Sequence, residues 1–499
     1  MKRKWVRTSV PLGETRLLRL GDVRMESYGE KLTEVLARPD IPKRREAISL
    51  ILHLGLPAVL AEVSTTVMQY IDTAMVGSLG ANASAAIGVV QTTTWLLFGC
   101  CECAALGFSI QVAQFLGAGR DRAARNAACQ GLVVCSAFSL VIAFVGMALS
   151  KSVPRWLGGP AGVLDDAAGY FFFMSAFMPV VMLQRYGALM LQCTGDMATP
   201  SIINVVSCFL DVVFNFLLIM PGAVHSLGGV SVFVPGAGMG VRGAAAGTGV
   251  ATAAAAFPML WFVFGRSGRL SLRRGASWTP GKPCLRSALV LSAPLFLERF
   301  VMNGAYIAQT IVVAPLGTIA VAANSIATTA ESVCYMPGYG LSQAATTLVG
   351  QAFGSGRRDM AKAFGNYSAL LGVLLMGAAG GMMWLLAPQV MAILSSDPAV
   401  SALGCSVLRI EAFAEPLYGA AMVIPGGLRG AGDTVAPSLI NLGSMWAIRI
   451  PLMVLLAPRL GLVGIWSAMC IELNARGCLM MARLLRGRWL NRSSVTETH

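Results

Sequence analysis

One register shift runs through this chain. Moving along by 237 residues carries Pro57 onto Pro294, Gly80 onto Gly317, Gln114 onto Gln351 and Pro179 onto Pro416. The same shift carries LGAGR at 116–120 onto FGSGR at 353–357, and GDMATP at 195–200 onto GDTVAP at 432–437. An ungapped match of that reach requires two halves built on one plan. Between the matched positions lie apolar runs near 20 residues, the length that crosses a lipid hydrocarbon core as a helix. Charged residues make up only 12% of the chain, where a soluble domain carries about 25%. The chain therefore reads as an all-α polytopic membrane protein.

Twelve spans are expected, at about 48–76, 83–112, 128–150, 166–192, 198–220, 243–265, 286–314, 320–349, 365–387, 404–428, 436–457 and 462–485. Each half then holds six. An even number inserts both halves the same way round, as parallel repeats about an axis along the membrane normal. Residues 1–46 form a basic arm, expected to include an amphipathic helix on anionic lipid. Residues 47–265 form the N-lobe, 266–286 a linker, 287–485 the C-lobe and 486–499 a tail. No short apolar stretch with a cleavage site opens the chain, so the first span is expected to act as an uncleaved insertion signal.

Basic residues fill GAGRDRAARN at 117–126, the linker (Arg266, Arg269, Arg273, Arg274, Lys282, Arg286), GSGRRDMAK at 354–362 and RLLRGRW at 483–489. They alternate with uncharged turns such as GSLGAN at 77–82. This places both termini in the cytoplasm and the protein in the cytoplasmic membrane. The net charge of +14 is thus a topology signal, not the mark of a nucleic-acid partner. The Gly/Val-rich stretch 221–242 is expected to form an external hairpin. The twelve cysteines lie mostly in apolar segments and read as small, reduced core residues.

A carboxylate inside a span costs roughly 3 kcal/mol on insertion scales and is functional by default. Asp72, in TTVMQYIDTAMVGSLG at 65–80, is such a group. In the fifth span Asp211 and Asn215 are four apart and share a helix face. With Asp72 they supply three hard oxygen donors for Na⁺, or carboxylates that share a proton. Thr248 of the sixth span is placed to join them. The alternative is an interhelical hydrogen-bond network, worth about 0.6 kcal/mol per bond.

The halves differ where charge is concerned: Asp72 meets Gln309 under the shift, and Glu298 meets Ala61. Glu298 is expected to face a cleft between the lobes, where it attracts a cationic substrate or takes a proton. Glu411, Glu415, Arg449, Arg185 and Arg299 read as mutual partners, as do Glu472 and Arg476. Glu102, within CCEC at 100–103, does not converge with its neighbouring cysteines on one metal, because adjacent helical residues diverge by about 100°. There is no P-loop, no G-x-S-x-G and no H-E-x-x-H. The 26 methionines fill the bundle or line a cavity that accepts varied apolar surfaces.

Several segments resemble the multidrug and toxic compound extrusion (MATE) family. They are Pro57 to Gly80 with its DTAMVGSLG, VAQFLGAGR at 112–120, QCTGDMATPSI at 192–202, APLGTIAVAA at 314–323, PGYGLSQAATTLVGQAFGSG at 337–356 and GGLRGAGDTVAPSLIN at 426–441. The DTAMVGSLG segment leans towards the DinF-like branch. The resemblance implies a V-shaped pair of six-helix lobes that exports organic cations or amphipathic drugs against H⁺ or Na⁺, with no other cofactor. It implies a cation site at Asp72 with Asp211 and Asn215, whose order is the reverse of the common Asn-then-Asp. It also implies a C-lobe pair at Glu298 and a span-ten position that here holds Tyr418. Glu298, Gln309 and Tyr418 are accordingly expected at the substrate cleft.

The expected function is a cation-coupled antiporter, monomeric and not an enzyme. Its rivals are a flippase for lipid-linked or polar biosynthetic substrates on the same fold, an intramembrane enzyme, and a non-transporting channel or receptor.

Overall fold

In lipid a backbone must satisfy its own hydrogen bonds, so each apolar run closes on itself as helix. The computed structural model describes residues 22–498 apart from 228–229, 267, 273–274 and 396. Arm residues 1–21, Arg273, Arg274 and His499 lie outside the described residues. The twelve expected spans are present. Spans one to three are Arg44–Gly77, Ala81–Gly117 and Asp121–Leu149. Span four is a pair, Leu164–Ala176 and Met178–Cys193, bent by 45°. Span five is Ala198–Ile219, and span six runs from Val241 to a π turn at Phe262–Arg266.

The second half repeats this order. Spans seven to nine are Lys282–Val313, Thr318–Gly354 and Arg358–Leu394. Span ten is again broken, into Pro398–Glu411 and Glu415–Gly430. Span eleven opens as Val435–Ser444 with a π turn at Met445–Arg449. The helix Ile450–Leu485 holds the end of span eleven and all of span twelve, divided at Gly461, whose φ of 58° is left-handed. The breaks in spans four and ten share a cause: Pro179 and Pro416 each sit in the first turn of a second half-helix, where the missing N–H does no harm.

Shifting Ala81–Gly117 by 237 gives Thr318–Gly354, so the sequence repeat is a structural one. It ends after span five, where the first half carries an antiparallel hairpin, Pro221–Leu227 with Val230–Ala237.

The arm helix, Asp22–Ala37, does not lie on lipid as expected. Leu32, Val35 and Leu36 form a stripe at helical spacing and bury it against Leu50, Ile51 and Leu54 of span one and Phe353 and Phe364 of spans eight and nine. Arg357 donates to the carbonyls of Arg38 and Pro39 just beyond this helix.

The lobes touch at the end of the bundle where both termini lie. Gln114 Nε2 donates to the Gly430 carbonyl at 3.0 Å, and Gln351 Nε2 to the Cys193 carbonyl at 2.6 Å. Donors and acceptors are both related by the 237 shift, so one bond is the repeat image of the other. Backbones meet here at Gly117 and Gly354. A Cβ on Gly117 would collide with the Gln351 carbonyl, and one on Gly354 with that of Gln114.

Each clasp bond is worth about 1 kcal/mol net, or roughly fivefold in an opening equilibrium. Gln351→Leu is expected to raise amide hydrogen exchange around residues 192–195 by about that factor, and Gln114→Leu to do the same around 428–432. Unchanged exchange in both variants would mean that the other contacts between the lobes hold this end shut.

Candidate cation and substrate sites

Span five presents two polar side chains on one face because its sequence, FLDVVFNFLLI, is otherwise apolar. Asp211 and Asn215 are both buried, at 1% and 0% exposure. Span six can press this close because it is rich in small residues. A Cβ on Gly247 would collide with Asn215 Oδ1. Span one brings Asp72 to the same point. Asn215 Nδ2 then donates to both acids, at 2.8 Å to Asp72 Oδ1 and 3.1 Å to Asp211 Oδ2.

The remaining valences define the chemistry. Asp211 Oδ1 and Asn215 Oδ1 are buried without a hydrogen-bond partner. Two carboxylates sharing one amide in a low-dielectric interior repel each other when both are ionised. A shared proton removes that repulsion, and so does a small hard cation on the free oxygens. The donors are all oxygen, which suits H⁺ or Na⁺ and not a soft metal.

This group opens onto a cleft of about 1210 Å³ between the lobes. Asp72, Asp211, Asn215 and Thr248 line it from the N-lobe, and Gln309 from span seven. Its wall reaches Val76, Ser84, Val313 and Val321, at the end of the bundle opposite the termini. Trp95, Phe98, Phe177 and Tyr306 supply aromatic surface. Arg185 is the one Lys or Arg in a lining that holds two aspartates.

Two expected cleft residues lie elsewhere. Glu298 points into the C-lobe, where its carboxylate accepts from Ser438 Oγ at 2.5 Å and Asn441 Nδ2 at 2.7 Å, and pairs with Arg429 at 3.4 Å. Tyr418 packs its ring edge-on against Tyr335, at 6.0 Å between centroids, with the Arg476 guanidinium also 6.0 Å from its centroid. Neither lines the cleft. Eleven residues is close to three full turns, so Glu298 and Gln309 share a face of span seven but stand about 16 Å apart along it; at its own level Gln309 lines the cleft, while Glu298 meets span eleven.

Glu472 and Arg476 pair as expected, but the mutual pairing expected among Glu411, Glu415, Arg449, Arg185 and Arg299 is revised. Arg299 pairs with Glu102 across the lobes at 3.5 Å, and Arg449 with Glu472 at 3.1 Å. Glu472 also takes Arg476, at 2.8 Å. Glu411 and Glu415 are left with no partner on any carboxylate oxygen.

Sequence reasoning missed the polar ladder between the lobes. Gln192 Nε2 donates to Gln343 Oε1 at 2.8 Å, and Gln343 Nε2 donates to Glu62 Oε1 at 3.0 Å. Tyr70 meets Ser332 at 2.7 Å, hydroxyl to hydroxyl, and donates to the Thr329 carbonyl at 3.0 Å. No spacing within one helix could have signalled these contacts, which join residues 151 to 281 apart in the chain.

A model of the MatE family matches residues 57–217 and 294–455, one stretch in each half. A probable multidrug resistance protein NorM from Thermotoga maritima is 26% identical over 469 residues, which cover 93% of this chain and 97% of the relative. The multidrug resistance protein MdtK from Yersinia pestis is 29% identical over 468 residues, covering 90% and 96%. Among solved structures, a MOP superfamily transporter from Pyrococcus furiosus matches with a TM-score of 0.81 at 19% identity, covering 93% of this chain and 99% of its own. A MATE transporter from Vibrio cholerae matches at 0.78 and 16% identity, covering 93% and 100%. These structures share the fold.

Overpacking at a tight contact costs about 1–3 kcal/mol. Gly247→Val is therefore expected to displace Asn215, lower the melting temperature by several degrees and abolish transport. Gly381→Val, where an added Cβ has nothing within 4 Å, is the control and should leave both unchanged. Melting curves and transport assays on the two variants test this.

Proposed function

This chain belongs to the MatE family of membrane transporters, and we propose on that premise that it is a secondary antiporter. It exports organic cations and other amphipathic drugs from the cytoplasm across the cytoplasmic membrane, driven by H⁺ or Na⁺. The observation that carries this reading is the pair of carboxylates, Asp72 and Asp211, held on one amide at the edge of the cleft. Asp211 Oδ1 and Asn215 Oδ1 have no hydrogen-bond partner in this group and are free to take the ion.

The sidedness follows from the basic loops, which share the end of the bundle with the termini. On that assignment the clasped end is cytoplasmic and the cleft faces outward. Asp72 binds the coupling ion from outside, which neutralises it and releases a cationic drug. After the lobes rock, the ion leaves to the cytoplasm and the bared carboxylate accepts the next drug molecule. The aromatic walls take apolar surfaces of differing shape. Both sides of the cleft come from one chain, so a single copy suffices. The cleft's acidic balance disfavours the flippase reading, which calls for a cationic cleft to hold phosphate.

Proteoliposomes with an imposed gradient test this. Efflux of a fluorescent organic cation is expected under a pH gradient alone or a Na⁺ gradient alone, and is expected to fall to the level of protein-free liposomes in Asp72→Asn. Full efflux by the mutant at equal incorporation would sink the role given to Asp72. Efflux under neither gradient would sink the antiport reading.

A further inference from the structure

One corner of the bundle is finished differently in the two halves. In the first half the arm helix seals the start of span one. Leu32, Val35 and Leu36 cover Leu50 and Leu54, and a Cβ on Gly195 would stand 3.0 Å from Gly29 Cα. The 237 shift carries Leu54 onto Leu291 and Gly195 onto Gly432. The chain entering span seven does not repeat the seal: the linker packs Leu270, Leu272 and Ala276 into the N-lobe instead. A cavity of about 890 Å³ stands at Leu291 and Gly432. Tail residues 491–495 form part of its wall. They are held where Ser494 Oγ and the Val495 N–H donate to Gln114 Oε1, at 3.2 and 2.9 Å.

The lining is cationic. Lys282 and Arg286, four apart and so on one face of span seven, reach the cavity from that helix, and Arg492 reaches it from the tail. Ser287 and Ser493 add hydroxyls, and among the described residues the lining holds no Asp or Glu. Lys282 and Arg286 are exposed, and neither has an acidic partner among the described residues. Arg492 has one, Asp433 at 3.1 Å, but that buried carboxylate also serves Arg483 at 2.7 Å. Cations gathered in this way repel one another. An anion with several oxygens relieves the repulsion and can take a guanidinium fork through two of them, as phosphate does. Beside the cations the wall turns apolar: Val290 lines the cavity, and Val290 and its neighbour Leu289 are 62% and 59% exposed on a membrane span. That is the surface along which acyl chains lie.

We propose that this cavity binds the phosphate of an anionic lipid headgroup, with the acyl chains laid against Leu289 and Val290. Basic pockets between spans take such headgroups. Lys282 and Arg286 belong to span seven and Arg492 to the tail, so the bound phosphate fastens the tail over Gln114. The site rests on this corner of the bundle and does not depend on the antiport reading.

Native mass spectrometry of the full chain in nonionic detergent tests it, with equal amounts of phosphatidylglycerol and phosphatidylcholine added. Phosphatidylglycerol is expected to be retained in preference. Lys282→Gln and Arg286→Gln are each expected to weaken that retention about fivefold. Lys362→Gln, at an exposed position outside the lining, should leave it unchanged. Amide exchange at residues 492–496 should slow on adding phosphatidylglycerol to the wild type, and not in either cavity variant. Equal retention of the two lipids would overturn the proposal, and so would retention that is the same in the wild type and both cavity variants. Full displacement of phosphatidylglycerol by glycerol phosphate would also overturn it, by making the occupant a soluble phosphate. Should the glutamine variants prove unstable, Ser493→Glu sets an acid in the lining and is expected to weaken retention by a similar factor; unchanged retention there would again overturn the proposal.

Discussion

Two glutamine side chains clasp the lobes of this molecule at one end. Gln114 and Gln351 each reach from the end of one lobe to a backbone carbonyl of the other. They do so where Gly117 and Gly354 let backbone approach backbone. A neutral amide suits this place because it satisfies a helix-end carbonyl without burying charge. With the lobes pinned at that end, their tilt opens a cleft at the other. The cleft, with its half-buried Asp72 and its aromatic walls, lies at the end away from the clasp. Because the two bonds are repeat images, the clasp lies about the pseudo-two-fold axis that relates the lobes.

The polar interior departs from that symmetry. The N-lobe places two acids and one amide at the cleft, and the C-lobe sets Gln309 opposite Asp72. The C-lobe keeps its own acids away from the cleft. Glu298 is held by a serine, an asparagine and an arginine, and Glu472 by two arginines. Duplication gave the chain two equal frames, and the charges inside them have since taken different places.

The fold was largely legible in the residues. Apolar runs near 20 residues and the 237 shift locate the spans and both lobes, while the breaks in spans four and ten emerged only in the structure. The pairing of Asp211 with Asn215 was legible too, because four residues is one helical turn. The expectations that failed concern direction and partnership. Glu298 and Tyr418 were expected at the cleft and point into the C-lobe instead. The arm helix was expected on lipid and packs on protein. Glu411 and Glu415 were expected to pair with Arg449, which Glu472 takes.

What the sequence determined by itself was everything set by local periodicity and solvent preference. Membrane insertion, span number, repeat order and the facing of residues within one helix all depend on chemistry a few residues wide. Only the tertiary structure decided which of several buried acids meet a cation, which meet an amide and which meet nothing. That depends on the rotation and tilt of each helix about its axis. Packing sets those angles jointly across both lobes, and a change of a few tens of degrees moves a carboxylate from the cleft to the core.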